Sequence, residues 1–372
     1  MTALILRIMK LTVNIAYCFY KLLPTKNKVV MISRQSNNIN MDFKLLGEKL
    51  EKDYEVVYLC RTLDGKVNST AWTRIKYGFH MFTQMYHLAT SKVCILDSYS
   101  PTVSILKHKK SLTIIQIWHS IGTMKKFGYA VINKKEGTNK SITKILNMHK
   151  NYDVVLCAGE AYREHLTWGF GCDPNIIKIA TLPRVDLLMD KKYENKIKKN
   201  IYNDYPILKE KQNIVYCPTF RENEIGFDKA LKKLAKEIDY SKYNLIVKLH
   251  PLSKVELPHK KNIIVDKKYS SFDMIFVADK MISDYSCIIY EAGIKNIPLY
   301  FYNYDMKKYN GKRGLALDYN ELPGYQSSDP KDLVASLEKE YDMKYHKKFI
   351  KKYINNTHDC AQKIVDMIKE YM

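Results

Sequence analysis

Short apolar runs alternate with longer amphipathic stretches along most of the chain. A first series comprises KVVMIS, YEVVYLC, VCILD, LTIIQIW and YDVVLCAG, and a second, beginning near residue 213, comprises NIVYCPTF, NLIVKLHP, NIIVD, KMISD and IPLYFYNYD. Runs of this length that are rich in β-branched residues predict strands. Strands that are apolar on both faces and separated by helices are typical of parallel sheets. The pattern therefore predicts an α/β protein with two parallel sheets.

A polar, lysine-rich stretch, MDKKYENKIKKNIYNDYPILKEKQ, separates the two series. The chain has 372 residues, which is more than one hydrophobic core usually serves. We therefore predict two domains, residues 1–195 and 196–372, and assign the consecutive helices of the last segment to the second.

The first stretch, MTALILRIMKLTVNIAYCFYKLL, predicts an amphipathic helix. Its polar residues recur every three, four or seven positions, which leaves a broad apolar face. Charges inside the stretch argue against a transmembrane span, and it lacks a convincing signal cleavage site. Such a helix is typical of a membrane interface, and a helix docked on its own domain is the main alternative. The polar stripe consists of Arg7, Lys10, Asn14, Tyr17 and Lys21.

The charge balance favours anionic partners, because the formal net charge is +22. The lysines are dispersed and no nucleic-acid-binding motif is present, so we expect no nucleic-acid partner. The eight cysteines form no CxxC pair, which indicates a reducing compartment and no zinc site. No HExxH or comparable histidine pair occurs, so no metal or other cofactor is required, although loosely held Mg²⁺ is compatible with the sequence.

Polar side chains follow three strands of the second series at the point where each strand ends. The carboxyl ends of parallel strands share one edge of a sheet, where ligands bind in open α/β folds. Hydroxyls, cations and the amides of a following helix suit a phosphate, so we predict a diphosphate seat without a glycine-rich loop. Its residues are Thr219 and Arg221, then Lys248 and His250, then Ser283, Asp284, Tyr285 and Ser286.

Each of these residues also has a purely structural alternative. What favours a shared ligand is that the three clusters follow three separate strand ends. The alternatives are an N-cap at Ser283 or Asp284, a surface pair of Arg221 with Glu222 or Glu224, and a hydrogen-bonded structural role for His250.

The run WHSIGTMKKFGY places His119 at the carboxyl end of a strand in the first sheet. An imidazole that titrates near neutrality can accept a proton from an attacking hydroxyl. Lys125 and Lys126 are suited to steering an anionic acceptor or a membrane phosphate. The spacing predicts a two-domain group transferase and leaves the group unnamed.

Six motifs carry a family resemblance, over roughly residues 90 to 330: WHSIGTMKKFG, LPRVD, CPTFR, VKLHP, ISDYSCIIYEAGIKNIPLYFY and KRGLALDYNELPG. Together they resemble the CDP-glycerol:glycerophosphotransferase family, which primes and polymerises glycerol-phosphate, and in relatives ribitol-phosphate, units of teichoic acids and some capsules. In the first motif Ser120 and Ile121 precede Gly122 and Thr123 where the family often has WHGT. That departure resembles the shorter, primase-type members.

The resemblance implies a GT-B-like fold, with two Rossmann-like domains facing across a cleft and the donor nucleotide on the C-terminal domain. It implies that His119 is the base and that His250 and Arg221 meet the donor diphosphate. Glu291 joins the donor-binding residues named above, and Gly122, Thr123, Lys125, Arg184 and Asp186 form the acceptor side. Four residues match a C-terminal motif to which we assign no role: Asp305, Arg313, Asp318 and Glu321.

The reaction implied by the resemblance is attack of an acceptor hydroxyl on the β-phosphorus of CDP-glycerol or CDP-ribitol, with release of CMP. The implied acceptor is an undecaprenyl-linked saccharide, and the implied location is peripheral, on the anionic cytoplasmic face of the membrane. A GT-B glycosyltransferase using a nucleotide sugar is the alternative enzyme, because its fold would look the same. A basic nucleic-acid-binding protein is the more distant alternative.

Overall fold

The computed structural model describes residues 2–62, 71–135, 137–221 and 224–372. It contains two six-stranded sheets, each built of parallel strands. The strands in these ranges are β1 (Lys28–Ser33), β2 (Glu55–Cys60), β3 (Val93–Leu96), β4 (Thr113–Gln116), β5 (Val154–Cys157), β6 (Ile177–Ile179), β7 (Gln212–Cys217), β8 (Tyr243–Val247), β9 (Ile263–Val265), β10 (Lys280–Ser283), β11 (Leu299–Tyr302) and β12 (Tyr325–Ser327). All paired strands run parallel, in the orders β2-β1-β3-β4-β5-β6 and β12-β11-β10-β7-β8-β9. The predicted α/β class with two parallel sheets is confirmed.

Helices connect the strands throughout the described ranges. They are α1 (Thr2–Tyr20), α2 (Met41–Leu50), α3 (Ala71–Thr90), α4 (Pro101–Ile105), α5 (Lys140–Ile145), α6 (Arg163–Phe170), α7 (Arg184–Met189), α8 (Lys191–Asp204), α9 (Glu224–Glu237), α10 (Ser271–Met274), α11 (Ile288–Ile294), α12 (Met306–Lys312), α13 (Pro330–Ser336), α14 (Met343–Tyr353) and α15 (Cys360–Lys369). Short 3₁₀ turns lie at Gly128–Val131, Glu160–Tyr162, Pro174–Ile176, Pro206–Lys209, Ile275–Val277 and Tyr319–Glu321.

The contacts divide the chain into two units that differ from the predicted domains at three places. Unit 1 comprises Met1–Ile121, Lys126–Asp186 and His358–Met372, and unit 2 comprises Gly122–Lys125 and Leu187–Thr357. Helix α15, which we expected in the second domain, packs against α2 in unit 1, where Lys49 Nζ donates to Gln362 Oε1 at 3.1 Å. The four residues Gly122–Lys125 and the residues 187–195, all expected in the first domain, belong to unit 2.

The central strands are apolar on both faces, as their sequences predict. Every residue of β1, β3, β5, β8 and β11 is buried. Two strands were not predicted, namely β6 and β12. Both are three residues long, lie at the edge of their sheet and are partly exposed, so their sequences lack the apolar run that identified the other strands.

The parallel arrangement brings the predicted polar clusters to one edge within each unit. In unit 2 the strands β10, β7 and β8 are neighbours, so the residues that follow them share the carboxyl edge of the second sheet. In unit 1 the strands β1, β3 and β4 are likewise neighbours, and His119 follows β4. Sheet topology therefore explains why residues far apart in sequence converge.

Helix α1 docks on unit 1 through its polar stripe. Lys10 Nζ donates to the Ile145 carbonyl at 3.0 Å, and Asn14 Nδ2 donates to the Ile105 carbonyl at 2.9 Å. Tyr17 is fully buried, and its hydroxyl lies 3.0 Å from His108 Nδ1. The predicted amphipathic helix is thus present, with its polar side against the protein.

The opposite face of α1 is apolar and exposed. Six of its side chains are 55% to 70% exposed: Leu4, Ile5, Ile8, Leu11, Ile15 and Phe19. By length and composition alone, the segment Ala3–Tyr20 also meets the requirements of a membrane-crossing helix. The contacts of the polar stripe instead fix this helix along the surface of unit 1.

Candidate functional site

A buried ion cluster occupies the carboxyl edge of the second sheet. Arg221, which follows β7, lies between Asp284 after β10 and Asp305 after β11. Its Nε is 2.7 Å from Asp305 Oδ2, and its Nη2 is 2.9 Å from Asp284 Oδ2 and 3.0 Å from Asp305 Oδ1. Nη1 donates to the Thr219 carbonyl at 2.6 Å. Four of the five N–H donors of this guanidinium are therefore engaged by the protein itself.

Three tyrosine rings surround the Arg221 guanidinium. Its Cζ lies 4.9 Å from the ring centroid of Tyr309, 5.2 Å from that of Tyr285 and 5.8 Å from that of Tyr304. The Tyr285 hydroxyl donates to Asp305 Oδ1 at 3.1 Å, and burial raises its pKa. Burial alone would lower the pKa of Arg221, but Asp284 and Asp305 raise it, so the arginine stays charged.

Asp284 joins two loops of this edge. Its carboxylate is fully buried and accepts the backbone N–H of Thr219 at 2.8 Å and that of Tyr285 at 2.5 Å. The Tyr319 hydroxyl donates to its backbone carbonyl at 2.9 Å. Asp284 thus holds the residues after β7 and β10 together, a role different from the helix N-cap considered as its alternative.

The two neighbouring serines contact the backbone, and Glu291 lies within a helix. Ser283 Oγ donates to the Cys217 carbonyl at 3.0 Å, and Ser286 Oγ lies 3.5 Å from the Ile288 amide. Glu291 is buried within α11. The surface pair proposed as the alternative for Arg221 is not formed with Glu224, which accepts hydrogen bonds from Ser253 and Lys254; Glu222 lies outside the described residues.

Lys248 is neutralised within unit 2. Its Nζ donates to the carboxylate of Asp266, to the Asp266 carbonyl at 3.1 Å and to the Tyr269 carbonyl. Burial would raise the pKa of Asp266, but the hydrogen bonds from Lys248 and Tyr205 bring it below its ordinary value. All three donors of this ammonium group therefore serve the loop after β9.

His250 is exposed, and its tautomer is set by the backbone. Its Nδ1 accepts the Leu252 amide N–H at 3.2 Å, and its ring packs 4.7 Å from that of Phe220. Although the residue is exposed, partial desolvation of its ring lowers the pKa of His250, which favours the neutral imidazole. Because Nδ1 is an acceptor, the neutral ring carries its proton on Nε2 and can donate it to a ligand.

The segment Gly122–Lys125 is fixed to the C-terminal part of unit 2. The Ala316 amide donates to the Met124 carbonyl at 3.0 Å, and Lys125 forms an antiparallel bridge with Leu315. The Tyr290 hydroxyl donates to the Thr123 carbonyl at 3.4 Å. Three residues that we predicted for the acceptor side thus lie in the same unit as the predicted donor-binding residues.

In unit 1 the backbone also sets the tautomer of His119. Its Nδ1 lies 3.1 Å from the Asp97 carbonyl, which can only accept, so Nδ1 carries the proton and Nε2 the lone pair. The Gln35 amide nitrogen lies 3.4 Å from the same Nδ1, and a rotated amide would present its oxygen there instead. Trp118 has φ of +63°, which is a strained backbone next to the predicted base, and its ring packs at a tilt against the imidazole with centroids 4.2 Å apart.

A buried polar network supports the Asp97 carbonyl. The Asp97 carboxylate accepts hydrogen bonds from Ser33 Oγ at 2.6 Å, Ser98 Oγ at 2.7 Å and Asn40 Nδ2 at 2.8 Å. Burial raises the pKa of Asp97, and these hydrogen bonds oppose that shift. The network joins the ends of β1 and β3 and so fixes the carbonyl that orients His119.

The two remaining acceptor-side residues have partners in unit 1. Arg184 pairs with the buried Asp42, its Nε lying 2.9 Å from Oδ2, and its Nη2 lies 3.3 Å from the His119 carbonyl. The Asp186 carboxylate accepts the amides of Cys360 and Ala361, each at 2.8 Å, at the start of α15. Arg184 is therefore close to the predicted base, whereas Asp186 fastens the last helix.

Sequence reasoning assigned no role to Asp305, which completes the Arg221 cluster. The position of Asp305 in the sequence could have indicated this role, because Asp305 follows β11 as the other polar residues follow their strands. Its motif neighbours lie elsewhere: Asp318 accepts the Asn320 amide at 2.9 Å, Glu321 pairs with Lys352 at 2.6 Å, and Arg313 follows the end of α12. In the part of the chain that the structure describes, no three His, Cys, Asp or Glu side chains are grouped so as to hold a metal ion.

Two α/β units, each built on a six-stranded parallel sheet, define a GT-B-like fold. The chain belongs to the CDP-glycerol:poly(glycerophosphate) glycerophosphotransferase family, whose model matches residues 15–370. This membership confirms the family predicted from the motifs. The protein is therefore an enzyme of the glycerophosphotransferase type, and a sugar-transferring activity is not favoured.

Relatives of known name agree with this assignment, and a solved structure agrees with the fold. The chain is 29% identical to the teichoic acid ribitol-phosphate primase of Bacillus spizizenii, covering 100% of this chain and 99% of the relative. It is 31% identical to the teichoic acid glycerol-phosphate primase of Bacillus subtilis over 71% of this chain and 69% of the relative. The fold resembles the wall teichoic acid polymerase TagF soaked with CDPG, with a TM-score of 0.75, 19% identity and coverage of 99% and 97% of the two chains.

Replacing Arg221 with alanine should destabilise unit 2, because the fully buried carboxylate of Asp284 and the largely shielded carboxylate of Asp305 lose their partner. We expect the free energy of unfolding to fall by about 3 to 5 kcal/mol. Urea unfolding measures the loss, and hydrogen exchange in peptides from β7, β10 and β11 locates it. Lys232→Ala is the matched control, since Lys232 forms a half-exposed pair with Asp228 at 2.9 Å and should contribute less than about 1 kcal/mol. Equal losses in the two variants would contradict the structural role of Arg221.

Proposed function

We propose that this enzyme transfers glycerol phosphate or ribitol phosphate from the CDP-alcohol to a hydroxyl of an undecaprenyl-linked saccharide, at the cytoplasmic face of the membrane. The acceptor oxygen forms a bond to the β-phosphorus, the bond from that phosphorus to the CMP oxygen breaks, and a phosphodiester remains. The observation that carries the proposal is the 3.1 Å distance from His119 Nδ1 to the Asp97 carbonyl, which assigns the proton to Nδ1 and leaves Nε2 as the base.

His119 is the base in this proposal. With Nδ1 protonated, the lone pair of Nε2 accepts the proton of the acceptor hydroxyl as the oxygen attacks. The Asp97 carbonyl keeps the ring in this tautomer and stabilises the imidazolium that forms, because a carbonyl oxygen is the acceptor that a protonated Nδ1 needs. Enzymes accelerate phosphoryl transfer mainly by positioning the reactants and stabilising charge, and His119 contributes both position and proton transfer.

His250 has the complementary role on the donor. Its Nδ1 is occupied by the Leu252 N–H, so the neutral ring presents Nε2–H to a phosphate oxygen of the CDP-alcohol. The hydrogen bond strengthens as negative charge moves to the departing CMP, which lowers the barrier. Phe220 packs against the imidazole at a tilt and helps to position it. The two histidines therefore differ in function because their backbone neighbours differ.

His119→Asn should separate proton transfer from binding. The asparagine amide can still donate to the Asp97 carbonyl, but it offers no basic nitrogen. We expect kcat to fall roughly 10²- to 10⁴-fold, while the Kd for the CDP-alcohol changes by less than about threefold. Turnover is followed as CMP release, and binding is measured by calorimetry.

The control for this variant is His358→Asn, an exposed histidine in the same unit, which should keep wild-type kcat. Wild-type kcat in His119→Asn would remove the base assignment. An equal loss in both variants would have the same consequence, because it would show that the substitution acts through folding.

The donor class is tested by product analysis. The purified enzyme is given a synthetic undecaprenyl-linked saccharide and, separately, CDP-glycerol, CDP-ribitol, a UDP-sugar and a GDP-sugar. We expect CMP release with one or both CDP-alcohols and a mass gain of one or more polyol phosphate units on the acceptor. Release of UDP or GDP with sugar transfer would instead establish the glycosyltransferase alternative.

The membrane part of the proposal rests on helix α1. Helix α3, which contacts α1, also exposes apolar side chains, since Phe79 is 69% and Phe82 is 46% exposed. Apolar side chains at the surface beside basic residues such as Arg7 suit the interface of an anionic bilayer. Each well-placed basic residue contributes about 1 kcal/mol near such a surface.

Replacing Leu11 and Phe19 together with aspartate should weaken membrane binding without unfolding unit 1, because both side chains are exposed. We expect the partition constant on phosphatidylglycerol vesicles to fall at least about tenfold, with turnover on a soluble acceptor analogue unchanged. Ile225→Asp is the control, since Ile225 is 71% exposed in unit 2. Unchanged vesicle binding in the Leu11/Phe19 variant would mean that α1 is not the surface by which the protein binds membranes.

A further inference from the structure

Two of the cations predicted to bind the donor diphosphate already form hydrogen bonds with groups of the protein itself. Arg221 uses four of its five N–H donors on Asp284, Asp305 and Thr219. Lys248 uses all three of its donors on Asp266 and Tyr269. Arg221 therefore keeps a single N–H donor for a ligand and Lys248 keeps none. Binding a phosphate through more donors would break hydrogen bonds within the protein, at a cost of about 1 to 3 kcal/mol for each group left unsatisfied.

A third cation reaches the same cluster from the segment Gly122–Lys125. Lys125 Nζ lies 5.7 Å from the ring centroid of Tyr309, and the Arg221 guanidinium lies 4.9 Å from that same ring. The segment is held in place by backbone hydrogen bonding to Ala316 and by the bridge to Leu315. Lys125 is thus a fixed member of unit 2, although its place in the sequence suggested the acceptor side.

Lys125 differs from the other two cations in its partners. Within the described ranges its ammonium group forms no hydrogen bond or ion pair, and its interactions are the contact with the Tyr309 ring and longer-range attraction to Asp284. Burial lowers the pKa of Lys125, Asp284 and Cys287 raise it, and Arg313 and Arg221 lower it. A half-buried ammonium without an acceptor is stabilised when an anion arrives.

Two hydroxyls near these residues in the chain also lack partners. In the part of the chain that the structure describes, Thr123 Oγ1 and Thr219 Oγ1 are buried and form no hydrogen bond. Thr219 is tied to the cluster through the bond of its amide to Asp284, and Thr123 lies two residues before Lys125. Buried hydroxyls without partners are uncommon and suit a ligand that brings acceptor oxygens.

We propose that Lys125 is the cation that binds the diphosphate of the CDP-alcohol, and that Arg221 positions Asp284 and Tyr285 without contacting the donor strongly. This inference rests on the proposed function and names the residue that performs its electrostatic part. As the bond between the β-phosphorus and CMP breaks, the electron pair stays on the CMP oxygen, and the Lys125 ammonium offsets that charge. The acceptor oxygen bonds to the β-phosphorus as this bond breaks, and the proton of the acceptor hydroxyl goes to His119.

The test compares ligands that differ only in their phosphates. Binding of CDP and of cytidine is measured by calorimetry for the wild-type protein, Lys125→Met, Lys125→Arg and the control Lys308→Met. Lys308 is an exposed lysine on α12, next to Tyr309 in the sequence, so the control makes the same change of charge. Thermal unfolding establishes that each variant is folded.

We expect Lys125→Met to raise the Kd for CDP by roughly 10- to 100-fold, and to change the Kd for cytidine by less than about twofold. Lys125→Arg should lose less, because it keeps the charge. Lys308→Met should bind both ligands like the wild type. A CDP affinity in Lys125→Met within twofold of the wild type would overturn the inference. If the wild type also releases CMP from a CDP-alcohol, that result leaves the proposed function standing.

A wild-type protein that neither binds CDP nor releases CMP would overturn both proposals together. If Lys125→Met does not fold, the wild-type protein supplies the answer through lysine acetylation, quantified by peptide mass spectrometry with and without CDP. Protection of Lys125 but not of Lys308 by CDP supports the inference. Equal acetylation of Lys125 with and without CDP contradicts it.

Discussion

The second sheet edge depends on the ion cluster of Arg221 with Asp284 and Asp305. Each of these residues follows a different strand, so the charges connect the ends of β7, β10 and β11. Asp284 is fully buried and the Arg221 side chain is 10% exposed. Water stabilises neither charge well, so each depends on the other. The tyrosine rings around the guanidinium exclude water and strengthen the pairing. Loop geometry at this edge is consequently set by electrostatics as much as by apolar packing.

Backbone groups decide how each of the two histidines can act. A carbonyl acceptor fixes the proton of His119 on Nδ1, and an amide donor fixes that of His250 on Nε2. The same side chain is therefore suited to accept a proton at one sheet edge and to donate a hydrogen bond at the other. A histidine in a sequence motif specifies only the residue type, whereas its chemistry follows from one main-chain neighbour.

The sequence was sufficient for the sheets, for the location of the polar clusters and for the amphipathic helix, because these follow from local periodicity. It was insufficient for β6 and β12, which are short edge strands without an apolar run. It also could not assign Gly122–Lys125 or α15 to their units, since those contacts join residues far apart in the chain. The partners of Arg221 and Lys248 were invisible for the same reason: motif spacing identifies a cation but not the carboxylate that neutralises it.

Helix α1 is attached through contacts spaced along its second half, from Lys10 to Tyr17, and its apolar side faces outward. An anchor on a flexible tether would let the enzyme rotate freely above a bilayer. A helix fixed in this way transmits its own orientation to unit 1, so lipid contact would set which side of that unit faces the membrane plane. The carboxyl edge of the first sheet would then be held at a constant height and angle relative to the lipid head groups.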